Sequence, residues 1–406
     1  MNAFLNSRLD EVVYTQIPDG FQVKGKAWYL LRALYGLRKS PRLWQRDLAT
    51  TLQEFGLTQV PEEECLFTNS HLVVMVFVDD IITANKTDPE SRRHAQLFKQ
   101  ALAQKYEVRS TGEIKWFLGV RVIRDRPRRK LWLCQDSYIE KIALRYHLNH
   151  GSLPKSPIAT AKLQLSTGQA TNGQIHHFQE KVGSCVYAAS ITRPDVAFAT
   201  NLLARFMTNP SDAYFQQIDR VIQFLFATRH YALEYNTENW VEAFLCASDA
   251  AFADNPDRKS SEGYLCKLFG AAIDWKASKQ ATITTSTTEA ELLAISQAGK
   301  SLQWWKRLFA AIDFDPDHEL SILCDNTQTV KLLTGENPQQ ITRLRHVDIH
   351  HYWLRQEVRD HRIQVNWVPT AQMPADGLTK PLPIQEYAKF MTMLGLVNIQ
   401  ALLQAQ

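Results

Sequence analysis

The chain has 406 residues, 45% hydrophobic and 22% charged, which is material for two or three folded domains and excludes a disordered polymer. Its net charge of +4 is compatible with a nucleic-acid partner without requiring one, and six scattered cysteines with no CxxC pair exclude a zinc finger of usual spacing and a disulfide framework. No apolar stretch reaches membrane-spanning length and no leader peptide is visible at the N-terminus, so the expected setting is a reducing compartment away from membranes.

Leu9–Tyr14 reads as a short strand and Ile17–Phe21 as a turn. Trp28–Gly36 is apolar and aromatic at helical spacing, breaking at Tyr35-Gly36. Ser40 as N-cap and Pro41 at the first helical position then predict a helix over Arg42–Phe55, with Leu43, Trp44, Leu48, Leu52 and Phe55 on one side and Gly56 as its stop. Cys65–Thr68 is a short strand. In Leu72–Ala84, seven apolar residues run into Asp79-Asp80 and an apolar run resumes. That pattern predicts a strand buried on both faces that turns at the acids. Two unpaired carboxylates beside a core strand are costly, so the pair marks a turn tip, a cation, or both. A helix follows over Glu90–Tyr106. Trp116–Val120 and Lys130–Cys134 read as a hairpin around a basic cluster of Arg121, Arg124, Arg126, Arg128, Arg129 and Lys130, and Asp136–Tyr146 as a helix.

Pro154–Gly173, rich in Pro, Ser, Thr, Gly and Gln, reads as a linker. Helical segments over Lys181–Ile191, Asp195–Phe206 and Ala213–Arg229 carry no evident chemistry. From 240 the periodicity changes. Val241–Ser248 is a strand ending in Asp249, and Glu262–Phe269 and Ala271–Lys276 continue a meander. Ser286-Thr287-Thr288-Glu289 resembles a capping box and opens a long helix that carries Glu291. Leu320–Cys324 is a strand ending in Asp325. Arg343, Arg345 and His346 form a second basic patch before a helix over Val347–Arg359. His346 and His350 are spaced i, i+4, which favours ordinary helix histidines in the absence of a third ligand nearby. Ile363–Val368 is a last strand, with Asp376 near the start of the last helix. Three antiparallel strands, a helix and then strand–helix pairs make a mixed sheet covered by helices.

Asp249, Glu291, Asp325 and Asp376 thus fall at strand ends and helix starts that can converge on one rim of that sheet. Any one of them alone is an ordinary cap or dipole partner. Four in this order match what two-metal phosphodiester hydrolysis needs, hard oxygen ligands for a pair of ions roughly 3.5–4 Å apart. Ser248-Asp249-Ala250-Ala251-Phe252-Ala253, Ser286–Leu292, Leu323-Cys324-Asp325-Asn326, Val368-Pro369-Thr370 and Ala375–Lys380 resemble the ribonuclease H domain of copia-type LTR retrotransposon polyproteins. The resemblance runs from about 240 to 382. It implies cleavage of the RNA strand of an RNA–DNA hybrid, with these four carboxylates as ligands of two Mg2+ or Mn2+ ions. Glu289 competes with Glu291, but the Glu-Leu-Leu-Ala context favours Glu291. Arg345-His346-Val347-Asp348-Ile349 resembles the segment before the family's late helix, in a phosphate-contact or packing role.

Leu34–Trp44, Phe77-Val78-Asp79-Asp80 and Trp116-Phe117-Leu118-Gly119 resemble, in order and spacing, the reverse transcriptase of the same polyproteins. This implies a palm and thumb built on an antiparallel sheet with helices, with Asp79 and Asp80 as metal ligands, again for two Mg2+ or Mn2+ ions. Tyr35 and Gly36 would line a nucleotide pocket, where glycine permits close backbone approach. Arg38 and Lys39 would contact phosphate, and Arg121, Arg124, Arg128 and Arg129 would follow a nucleic-acid backbone electrostatically. A further family aspartate lies four residues before the Ala of the segment matching Ala3-Phe4-Leu5, ahead of Met1. The polymerase half of this chain is therefore expected to be inactive and the ribonuclease H half to retain its full set. The alternative is a catalytically dead transposon remnant that only binds nucleic acid. The expected layout is a reverse transcriptase part over 1–153, a linker and helical connection over 154–239, a ribonuclease H part over 240–382 and a tail over 383–406. The resemblance also implies primer–template and dNTP as partners, and a cytoplasmic virus-like particle or the nucleus as location.

Overall fold

The computed structural model describes residues 3–151, 153–159, 168–238, 243–316, 320–335 and 345–404. Two compact units comprise Met1–Ile114 with Trp304–Asp315, and Lys115–Gln303 with Pro316–Gln406.

In the first unit, Trp28–Gly36 forms no helix. Only Trp28–Tyr29 (β2) is regular there, paired antiparallel with Tyr14–Thr15 (β1). Trp28, Tyr29, Leu31, Leu34 and Tyr35 are exposed, so the tertiary packing that supplies most helix stability is missing. Helix α1 spans Ser40–Glu54 and buries Leu43, Trp44, Leu48 and Leu52. Lys39 takes the N-cap position; the Ser40 hydroxyl instead donates to the Leu34 carbonyl at 2.7 Å. Strands β3 (Thr58–Val60), β4 (Glu63–Thr68), β5 (Leu72–Phe77) and β6 (Asp80–Asn85) form an antiparallel meander in that order. Helix α2 (Pro89–Lys105) follows, capped by Asp88, whose Oδ1 accepts from the Ser91 N–H at 2.8 Å.

β5 is not buried on both faces. Leu72, Val74 and Val76 join one core cluster with Leu48 and Leu52 of α1 and Phe98 and Leu102 of α2, while Val73 and Met75 are half-buried. Helices cover one face of this sheet, and the two-residue period of a strand sends alternate side chains to the other.

The chain continues with β7 (Trp116–Phe117), β8 (Val120–Asp125), β9 (Lys130–Cys134), α3 (Asp136–Arg145), α4 (Asn172–Ile191), α5 (Ala197–Ala204), α6 (Asp212–Ala227) and β10 (Tyr231–Asn236). Then come β11 (Phe244–Ala251), β12 (Ser261–Leu268), β13 (Ala271–Lys279), α7 (Thr287–Ala311), β14 (Ser321–Cys324), α8 (Thr327–Thr334), α9 (Arg345–Arg359) and β15 (Gln364–Trp367). The chain closes with α10 (Ile384–Met393), β16 (Leu396–Asn398) and α11 (Gln400–Gln404).

One sheet has the order β16-β10-β9-β8-β7 and is antiparallel throughout. Its strands come from residues 116–134, from the segment after α6 and from residues 396–398. Tyr387, Phe390 and Met391 of α10 enter the same core as Phe178 of α4 and Phe224 of α6. The most visible composition break in the sequence, 154–173, and the division of the compact units at Ile114 are therefore different places. Composition marks where the chain is polar, whereas strand pairing joins segments far apart in sequence.

The other sheet has the order β13-β12-β11-β14-β15. β12 pairs antiparallel with β11 and β13, while β14 runs parallel to both β11 and β15. This is the mixed five-stranded sheet expected from the sequence, beside the antiparallel sheet of the first unit. Among the described residues, no helix is long and apolar enough to cross a membrane.

Candidate active site

The register of the mixed sheet positions the first two acids. Cys246 and Ala247 of β11 pair with Ile322 and Leu323 of β14, an offset that brings Asp325 level with Asp249 two residues on. Asp249 lies within β11, not at its end, and pairs with Gly263 of β12. Glu291 projects from α7. The Ala250 N–H donates to its carboxylate, tying helix to strand. Carboxylate oxygens of Asp249, Glu291 and Asp325 all lie within 4.8 Å of one another.

Asp376 reaches the cluster from a 3-10 turn at Asp376–Leu378, eight residues ahead of the helix it was expected to start, because Pro381 and Pro383 delay α10. That turn packs hard against β12. A Cβ at Gly263 would sit 2.7 Å from Leu378 Cβ, and a Cβ at Gly377 would lie 2.5 Å from the Phe390 ring. Two glycines thus permit the close approach that delivers Asp376 and Thr379 to Asp249. The Thr379 hydroxyl donates to Asp249 Oδ2. The Thr370 hydroxyl donates to Asp325 Oδ2 at 2.8 Å, and Lys380 Nζ stands 2.8 Å from Asp376 Oδ1.

The electrostatics are those of concentrated buried charge. Asp249 and Glu291 are only 4% and 5% exposed. Loss of water, then the nearby Asp376 carboxylate, pushes Asp249 up to about 6. Burial, then Asp249 and Asp325, holds Glu291 well above the usual carboxylate range. Asp376 is raised too, chiefly by burial, with Lys380 opposing. Burial pushes the Lys380 ammonium down, but Asp376, Asp249 and Asp325 outweigh it and the group stays raised overall. Glu291 Oε2 is buried without a hydrogen-bond partner. A buried carboxylate oxygen left unsatisfied is costly, and a divalent cation bound between the acids would satisfy it. The donor set, all hard oxygen, fits magnesium or manganese.

Glu289 is engaged elsewhere: its carboxylate accepts from the Thr285 N–H at 2.6 Å and from the Thr285 hydroxyl at 2.8 Å. Its own N–H is capped by the Ser286 hydroxyl. Thr379 and Lys380 close the Ala375–Lys380 motif, and residue type alone assigns them no role. Their signal was position, three and four residues past Asp376, which a turn of helical character returns to the same side.

The first-unit residues are arranged differently. Asp79 and Asp80 are exposed at the β5–β6 tip, where Phe77 pairs with Asp80 and Val78 adopts φ 54°. The Trp44 indole N–H holds this tip by donating to the Val78 carbonyl at 2.5 Å. Among the described residues, neither aspartate belongs to a group of three ligand side chains within 4.8 Å. The Tyr35 ring lies tilted against Phe4 with centroids 4.4 Å apart, Gly36 has φ 95°, Arg38 is exposed, and Lys39 pairs with Glu11 at 2.6 Å.

In the basic hairpin, Arg121 is held by Asp136 at 2.8 Å and lies 4.3 Å over the Trp116 ring. Arg128 stands 3.7 Å from Asp125, and Lys130 pairs with Glu234 at 3.1 Å. Arg124 and Arg129 are exposed near or on the tip. Arg343 and the side chains of Arg345 and His346 lie outside the described residues. His350 is a packed residue, with Nδ1 2.7 Å from the Ser296 hydroxyl.

The family described as reverse transcriptase (RNA-dependent DNA polymerase) matches residues 1–160. A retrovirus-related Pol polyprotein from transposon TNT 1-94 of Nicotiana tabacum is 29% identical over 97% of this chain, which spans 30% of that polyprotein. The transposon Ty5-1 protein of Saccharomyces cerevisiae is 29% identical over 73% of this chain and 97% of its own length. A solved structure of LC11-RNase H1 in complex with an RNA/DNA hybrid aligns with 34% of this chain and 93% of its own, at 17% identity and a TM-score of 0.27.

Proposed function

This chain belongs to the Pol polyprotein family of copia-type retrotransposons, and from that membership we propose that its mixed-sheet site hydrolyses the RNA strand of an RNA–DNA hybrid. The observation that carries the reading is the convergence of Asp249, Glu291 and Asp325 within 4.8 Å while Glu291 Oε2 lies buried and unsatisfied. Together with Asp376 they would hold divalent cations, magnesium or manganese. Such ions supply activation of a water and neutralisation of charge on the phosphodiester.

The chain's own groups set the frame. The Ala250 N–H fixes Glu291, Thr379 orients Asp249 and Thr370 orients Asp325. Lys380 balances part of the negative charge beside Asp376 and opposes the rise that burial imposes on that carboxylate. Asp325, half-buried, gives the cluster its more open side.

Purified protein with magnesium should cleave a labelled RNA–DNA hybrid, and Asp325→Asn should lower the rate by about a thousandfold or more, as expected when a group that stabilises transition-state charge is lost. Absence of cleavage with either magnesium or manganese would overturn the reading and favour a chain that only binds nucleic acid.

Polymerisation is not proposed for this chain alone. Asp79 and Asp80 stand exposed without a further carboxylate at ligand distance among the described residues, and phosphoryl transfer depends on metal-held charge neutralisation. Primer extension by this chain should be at background. Magnesium-dependent primer extension above background would refute this.

A further inference from the structure

The first unit carries a second cluster of ligand side chains that takes no part in the chemistry above. His71, Glu90 and His94 each offer a ligand atom, all within 4.8 Å of one another. We propose that His71, Glu90 and His94 form a binding site for a divalent transition metal of the zinc class, which staples the β4–β5 turn to the first turns of α2.

Both ligand-bearing segments are fixed by their own backbone bonds. In the turn, Asn69 Oδ1 accepts from the N–H groups of His71 and Leu72, each at 2.9 Å. On the helix, the Asp88 cap fixes the turn that carries Glu90, and Glu90 and His94 are one helical turn apart on the same side. The two imidazoles stack, with centroids 4.1 Å apart and planes 15° from parallel.

His71 Nδ1 lies 3.2 Å from the Ser91 hydroxyl, and its Nε2 faces Glu90 Oε1 at 3.9 Å. A second-shell bond to one ring nitrogen is the usual way a ligating histidine presents the other. Ser91 is buried, His71 and His94 are half-buried and Glu90 is exposed, so the site is anchored below and open above.

The chemistry selects the ion. Two imidazoles and one carboxylate suit zinc and its neighbours, whereas the all-oxygen set at Asp249 suits magnesium. Tetrahedral zinc with bonds of about 2.0–2.1 Å needs ligand atoms about 3.4 Å apart; because the two rings stack, one imidazole has to turn about its side-chain torsions for both in-plane lone pairs to meet the same ion. Three protein ligands leave one position for water, so the site has room for an outside ligand as well as a structural role.

The test uses the full chain, stripped with chelator and titrated with ZnCl2, with bound metal counted after dialysis and affinity measured by dye competition. The His71→Ala/His94→Ala double variant is expected to hold one zinc per chain fewer than wild type. His71→Ala and His94→Ala should each lower the affinity of that zinc by at least about tenfold, and Ser91→Ala by about tenfold through loss of orientation. His176→Ala should leave it unchanged. Cobalt substitution gives an independent readout, an absorption band from imidazole-ligated Co2+ that His94→Gln removes. No stoichiometric zinc, or zinc binding untouched by the His71 and His94 changes, would overturn the proposal.

Discussion

Two acidic features of this chain look alike in sequence and differ in physical state. Asp79 and Asp80 are neighbours in the chain, yet they sit at an exposed hairpin tip where water solvates both. Asp249, Glu291, Asp325 and Asp376 are spread over more than a hundred residues, yet a parallel register and one helix gather the first three within 4.8 Å, two of them buried, and one tight turn brings Asp376 beside Asp249. Adjacency in sequence concentrates charge without removing water. Convergence in space does both, and only then do carboxylates demand a cation.

The largest effect on stability should come from the buried set. Burial and neighbouring charge raise Asp249 from 3.8 to about 6, so the folded chain holds this proton more tightly than the unfolded chain does. A raised carboxylate contributes stability that is present below about pH 4 and is lost as pH rises through about 6. In chelator, the chain should therefore lose on the order of 3 kcal/mol from this group between those limits. Asp249→Asn should remove that slope and make the metal-free protein more stable than wild type at neutral pH, although it cannot cleave hybrid. Added magnesium should stabilise wild type and not the variant. Urea denaturation across the pH range reads both; a wild-type slope of the opposite sign would show that the cluster is solvated.

A smaller effect tests the packing that assembles the cluster. In Gly263→Ala the new Cβ would meet Leu378 Cβ at 2.7 Å, forcing the Asp376 turn away from β12. Overpacking of this kind costs about 1–3 kcal/mol. Hybrid cleavage should fall by more than the loss of folded protein accounts for, because Asp376 and Thr379 move together. Unchanged cleavage per folded molecule would mean that the turn relaxes without moving its acid.

How far the sequence revealed this arrangement depended on whether the deciding interaction was local. Helices α1, α2 and α6 were legible because their apolar residues recur at helical spacing. The approach of Asp249, Glu291 and Asp325 was anticipated from the motif around each, although Asp249 lies inside β11 rather than at its end. The contribution of 383–406 was not: β16 is only three residues long and draws its stability from pairing with β10, some 160 residues earlier. Trp28–Gly36 failed in the opposite sense, since helical spacing of aromatics says nothing about whether a partner surface exists. Arg121 read as a phosphate contact because sequence shows its charge but not Asp136 beneath it. The choice between Glu289 and Glu291 was decided by where α7 begins, which gives Glu289 the capping position and turns Glu291 toward Asp249.

The smallest effect bears on the exposed pair. Val78 is a β-branched residue at φ 54°, a conformation such residues rarely adopt, and the bond from Trp44 fixes it there. The tip therefore presents Asp79 and Asp80 in a set direction, but outward, where each keeps its water. Replacing both with Asn should change stability by less than about 0.5 kcal/mol, the range of ordinary surface substitutions. It should leave hybrid cleavage at the wild-type rate. A gain of about 1 kcal/mol or more in chelator would show that the two carboxylates repel as a buried pair does. The tip would then share the charge repulsion of the mixed-sheet cluster, and the contrast between the two acidic regions would fail.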